Sequence, residues 1–225
     1  MAKVIGIEPR DDLLTRYSYA FRQRYVYKNP TLEGQSAEHE LIPFFDSEAT
    51  PQPIHEAAKD NGVRLITGSG HGTEERFLGH GGIPIFEVPG LSTEYLDGKI
   101  IHLLACHVGA HLGVRLVTNG ATAFWGYTGA FLFCHYSIPP EQLAADDYAE
   151  WFFAMDSLID KGILEGRNST QIYAELVSWF NEVYSLINYL DLNIDDVVKM
   201  RAALHHDFVH IASPALNWGN PEVVI

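Results

Sequence analysis

The chain has 225 residues, 47% hydrophobic and 12% aromatic, enough apolar mass for a sizeable core, so one globular domain over residues 1–225 is expected. Fifteen basic against 29 acidic residues leave a formal charge of −14, which argues against a nucleic-acid surface or an anionic membrane as the main partner. The start, MAKVIGIEPRDDL, meets charge after a short apolar run, and no apolar stretch reaches the ~20 residues of a membrane helix, so the chain is read as cytoplasmic, without a secretory signal or a membrane contact.

In chain order, residues 3–7 (KVIGI) read as a short buried strand and residues 13–27 as a helix rich in Tyr and Arg. A second strand is expected at 41–45, and Pro51 and Pro53 lead into a helix over 54–61 that Gly62 follows. Residues 63–67 form the next strand, which runs into Gly68-Ser69-Gly70-His71-Gly72. A further strand is expected at 83–88, and 99–105 (KIIHLLA) is the almost continuous apolar run of a strand covered on both faces. A helix follows at 109–119, with Gly120 as its stop, then a strand at 121–127 (ATAFWGY).

Strand and helix alternate this far, which implies a mainly parallel sheet with helices on both faces. The last third is helical. Tyr148, Trp151, Phe152, Met155, Leu158 and Ile159 share one face; so do Ile172, Leu176, Phe180, Val183 and Leu190, and then Val197, Met200, Leu204, Phe208 and Ile211. These stripes read as core. No repeat or low-complexity tract interrupts the chain, and the polar segments 29–40 and 72–82 are candidate regulatory loops.

In an open parallel sheet, ligands sit outside the carboxyl ends of the strands. Two strands here end in reactive residues, one in Gly70-His71-Gly72 and the other in Ala105-Cys106-His107. Adjacent pairing of the two sets an imidazole beside a thiol, the arrangement that lets a cysteine work as a nucleophile. The backbone N–H groups of Gly72 and Cys106 are then candidate oxyanion donors, and Cys106 at a helix start gains from the helix dipole. Glu74, or its neighbour Glu75, is a candidate to orient His71.

These stretches, "LITGSGHG" and "IIHLLACHVGAHLGVRLVTNGATAFWGYTG", resemble the caspase-like (clan CD) cysteine peptidases, in which one apolar strand ends in His-Gly and a later one in Cys. Gingipain catalytic domains and CHAT domains look nearest. They are similar in the helix after the cysteine, in the small-residue strand, and in the amphipathic helix here written "AEWFFAMDSLIDKGILEG". The tail "ALNWGNPEVVI" is similar to a Gly-Asp-Pro ending common in gingipain catalytic domains, with Asn220 in place of Asp. The resemblance implies an α/β caspase-like three-layer sandwich with a mainly parallel central sheet and a helical C-terminal third. It implies a cysteine endopeptidase with His71 as base and Cys106 as nucleophile, acting on a protein or peptide substrate. Metacaspases carry an Asp two residues before the cysteine where this chain has Leu104, so that position lends no support to basic specificity. The loop after the first strand makes Arg10, Asp11 and Asp12 candidates, of opposite preference, for the S1 pocket.

The rival readings are weaker. His102, Cys106, His107 and His111, or His206 and His210, have zinc-like spacing, but His102 falls on a strand and the second pair lacks a third ligand, so no metal site is expected. No cofactor is expected either, a regulatory calcium being the one candidate ion. Cys134, among aromatics, reads as a packed hydrophobe. The alternative function is a catalytically silent caspase-like scaffold or regulatory module that holds a partner protein in the same cleft.

Overall fold

The computed structural model describes residues 1–33, 37–190, 192–213 and 219–225. Its strands are β1 (Ala2–Glu8), β2 (His39–Phe45), β3 (Val63–Ser69), β4 (His71–Gly72), β5 (Arg76–Leu78), β6 (Pro84–Glu87), β7 (Ile100–Leu104), β8 (Ala123–Tyr127) and β9 (Ile211–Ala212). Its helices are α1 (Leu13–Arg22), α2 (Pro51–Ala58), α3 (Thr93–Leu96), α4 (Leu112–Thr118), α5 (Asp147–Leu164), α6 (Ser169–Leu186) and α7 (Ile194–Val209). The six-stranded central sheet has the order β2-β1-β3-β7-β8-β9; the first five are parallel and β9 closes the edge antiparallel to β8. The fold is thus mixed α/β with a mostly parallel sheet and a helical C-terminal part.

Alternation along the buried strands builds two cores, because successive side chains point to opposite faces. Val4, Leu65, Ile100 and Trp125 pack with α1, α5, α6 and α7 on one face. Ile5, Ile66, Ile101 and Phe124 pack with α2, α3, α4 and the small sheet on the other. The sheet is the middle of three layers.

Several boundaries differ from the sequence pattern. The helix expected over 13–27 is α-helical only to Arg22; Gln23–Tyr27 is a π-helical turn that brings Val26 and Tyr27 into the core together. Pro51 at the first turn starts α2 earlier than expected, where a missing N–H costs no hydrogen bond. Residues 72–82 are not one long loop, since β4, β5 and β6 form a three-stranded antiparallel sheet. Leu190 and Ile211 fall outside the helices assigned to them. Of the tail motif, 215–218 lie outside the described residues, as do 34–36 of the segment 29–40; Gly219 bridges to Ala123 and the Asn220 N–H donates to the Thr122 carbonyl.

Between the sheet and α5 lies a buried ionic cluster. The Arg22 guanidinium donates to Glu8 Oε1 at 2.7 Å, Asp160 Oδ2 at 2.7 Å and Thr67 Oγ1 at 2.6 Å. His102, 0% exposed, lies 3.1 Å from Asp156 Oδ1 and 3.0 Å from Asp160 Oδ1. Burial works to lower the His102 pKa, but Asp160 and Asp156 outweigh it and push it up to about 9. His102, Asp156 and Asp160 could each offer a ligand atom to a metal ion. Here Arg22 and the imidazolium already supply the positive charge those carboxylates need, so the cluster reads as a structural ion network.

Candidate active site

The parallel register of β3 and β7 aligns Ser69 with Leu104, and the Gly70 N–H donates to the Leu104 carbonyl at 3.2 Å. Both strands therefore stop level. The chain leaves one into His71-Gly72 and the other into Ala105-Cys106, so the two reactive residues emerge at the same sheet edge.

Gly72 lies directly against the cysteine turn. A Cβ there would sit 2.5 Å from the Cys106 carbonyl oxygen and 2.6 Å from Val108 Cγ1, closer than any side chain tolerates. The Thr73 N–H donates to the Arg76 carbonyl, which by the alternation of an antiparallel ladder leaves the Gly72 N–H pointing away from β5. Among the described residues the Cys106 N–H has no backbone acceptor.

The expectation that Cys106 opens a helix is corrected. Residues 106–111 form turns, and α4 begins only at Leu112. The backbone is drawn to sheet partners instead: the His107 N–H donates to the Gly129 carbonyl and the Gly109 N–H to the Tyr127 carbonyl, each at 2.8 Å. His107 takes a left-handed φ of 61°, a conformation that non-glycine residues hold at a cost and that clusters at functional turns.

The carboxylate on the His71 ring is Asp12, through Nε2, and not Glu74. Glu74 instead accepts the Leu112 N–H on its backbone carbonyl, and Glu75 approaches His111 at 3.7 Å. Asp12 is itself fixed as the N-cap of α1, in a capping box with Thr15. Burial works to raise its pKa, but the Thr15 N–H and the His71 ring outweigh that and hold it below the usual value. Half of each side chain stays exposed, at 47% for both His71 and Asp12, so the pair is open to a ligand.

Of the other S1 candidates, Leu104 alone lines the pocket beside Cys106. Arg10 pairs with Asp46 and lies over the Tyr19 ring, with its guanidinium carbon 4.2 Å from the ring centre. Asp11 meets His80 Nδ1 at 2.6 Å and accepts the Gly81 N–H at 2.8 Å. The pocket's remaining walls include Thr15, Ser18, Gly70, Phe131 and Phe153. Its free space is about 10 Å³, which holds about one water. Among the described residues the Ser18 Oγ there is buried without a hydrogen-bond partner.

The sequence offers Asp12 for the S1 pocket and the structure sets it on the His71 ring; Ser18, Phe131 and Phe153 have no mark in the sequence pattern. The capping pattern Asp12-x-x-Thr15 was a usable signal for Asp12; the other three meet only through tertiary packing. His206 and His210 are held by the Ala130 carbonyl and by Thr128, at 2.9 and 3.0 Å. Cys134 is half-buried, and burial pushes its thiol pKa up. No helix among the described residues is long and apolar enough to cross a membrane. Comparison of the chain with protein-family models, with curated proteins and with solved structures finds no match in any of the three.

Proposed function

We propose that this chain is a caspase-like cysteine endopeptidase with a His71–Cys106 dyad. The observation that carries the reading is the meeting of β3 and β7 at one level, with Gly72 packed on the Cys106 backbone. Only a residue without a side chain lets the imidazole-bearing turn come that close to the thiol-bearing one.

Asp12 holds Nε2–H of His71, which leaves Nδ1 as the base. The Cys106 thiol gives its proton to Nδ1, and the sulfur attacks the peptide carbonyl carbon. The carbonyl electron pair moves to oxygen, where the N–H groups of Gly72 and Cys106 stabilise the charge. Collapse of this intermediate breaks the C–N bond; the leaving amine takes the proton from His71, and a thioester stays on Cys106. Water, deprotonated by His71, then hydrolyses the thioester and regenerates the thiol. The narrow, uncharged pocket beside Cys106 suits a small, uncharged P1 side chain.

The same tightness favours the second reading, a silent module whose cleft holds a partner. The test is cleavage of a fluorogenic peptide library varied at P1, comparing the wild type with Cys106→Ala and His71→Ala, with calcium and with EDTA. Turnover in the wild type alone supports the dyad. Silence throughout, together with no selective labelling of Cys106 by a thiol probe, sinks the peptidase and leaves the module.

A further inference from the structure

A second cavity, of about 510 Å³, opens on the helical layer, away from the residues of the dyad. Tyr136, Tyr148, Trp151 and Trp179 line it together with the carboxylates of Asp147 and Glu150. Glu150 and Trp151 lie about one helical turn after Asp147 on α5, and Trp179 comes from α6. The Tyr136 and Tyr148 rings lie 4.3 Å apart, centre to centre.

The charges around the cavity lean one way. Asp147, in the first turn of α5, is exposed and has no ion-pair or hydrogen-bond partner from any described side chain. Glu150 accepts the Tyr25 hydroxyl and has Arg24 at 3.3 Å, so its charge is partly matched. Asp196 of α7 faces the Tyr148 hydroxyl, with Lys199 3.7 Å from its carboxylate. Aromatic faces attract cations, most strongly where a carboxylate adds its charge and water is partly excluded. Leu190 and Leu192 close the remaining side with apolar surface that suits residues flanking such a cation.

We propose that this groove binds a basic peptide segment, seating an arginine or lysine side chain on the aromatic wall with its charge at Asp147. The volume exceeds one side chain and accommodates its neighbours. The site does not depend on the dyad, and it uses none of its residues. The overall charge of −14 draws basic partners toward it.

The test is isothermal titration calorimetry on the full chain carrying Cys106→Ala, so that no turnover adds heat. The probes are acetyl-Leu-Arg-Leu-amide and the same peptide with citrulline, the uncharged isostere, in place of arginine. The expected result is binding of the arginine peptide, weakened by salt, with the citrulline peptide at least about tenfold weaker. Asp147→Asn and Trp151→Leu should each lower the affinity by about threefold to tenfold, Asp147→Asn being a surface change that leaves the fold intact. Equal affinity for both peptides, an unchanged affinity in Asp147→Asn, or no heat from the arginine peptide at millimolar concentration overturns the proposal.

Discussion

Replacing Arg22 by Met removes the one group that touches Glu8, Thr67, Asp156 and Asp160 at once. Methionine fills similar space and makes no hydrogen bond. The carboxylates that remain are 0% exposed, and a buried ion pair broken on one side costs about 3–5 kcal/mol. At about 2–4 °C per kcal/mol for a chain of this size, the midpoint of thermal unfolding should fall by about 6–20 °C. The loss should depend on pH. Burial works to raise the Asp160 pKa, but Arg22 and His102 outweigh it and hold it well below the carboxylate range. Its contribution is therefore present above the ordinary carboxylate pKa and is lost as pH falls through the lower, folded value. The gap between wild type and Arg22→Met, followed by circular dichroism, should be widest near neutral pH and close in acid. Adding Asp160→Asn to the variant should restore part of the loss. A shift below about 2 °C, or a gap constant from pH 7 to pH 3, would falsify the account of the cluster as a charge-matched unit.

Gly72→Ala should destabilise the chain by about 1–3 kcal/mol through its collision with the Cys106 carbonyl, and should lower alkylation of Cys106 by iodoacetamide; unchanged melting and labelling would contradict the packing described. Asp12→Ala should cost about 1 kcal/mol by loss of the α1 cap, read as a lower melting temperature, and should slow alkylation of Cys106 by iodoacetamide because the His71 ring loses the carboxylate that holds it. Asp207 is pushed up to about 9, first by burial and then by Asp156, against the Leu132 N–H it accepts. A raised acid costs stability as pH rises above its unfolded pKa, so Asp207→Asn should raise the melting temperature at pH 7 and leave it unchanged near pH 3.5. The stabilisation from His102 has the complementary window: it is complete below the unfolded pKa of about 6.5 and lost as pH rises toward about 9. A melting temperature that does not fall between pH 7 and pH 9.5 would count against both assignments.

Apolar periodicity carried most of the fold. Runs such as KIIHLLA and ATAFWGY mark strands covered on both faces, and the structure buries every residue of β7 and β8. The helical stripes after residue 147 likewise mark the faces that α5, α6 and α7 bury. Local chemistry failed where long-range hydrogen bonds prevailed. The segment after Cys106 looks helical, yet Tyr127 and Gly129 capture its N–H groups. Asp12 and Glu74 are equally acidic neighbours of a loop; only the folded chain decides which of them reaches His71. The π-helical turn at 23–27 has no pattern of its own, because it answers to Tyr27 meeting Glu8 inside the protein.

The buried ion cluster also governs when the protein becomes complete. Glu8 and Arg22 are made early and His102 midway, while Asp156 and Asp160 belong to α5. A nascent chain that ends before α5 lacks two of the carboxylates that meet Arg22 and both of those that meet His102, and closing a core around polar groups left without these partners is unfavourable. Chains generally fold as whole domains as they leave the ribosome, so β7, and the cysteine at its end, settles only after α5 has been synthesised. Truncated products of this chain should therefore remain open and inert, and translation itself sets the moment at which Cys106 acquires its surroundings.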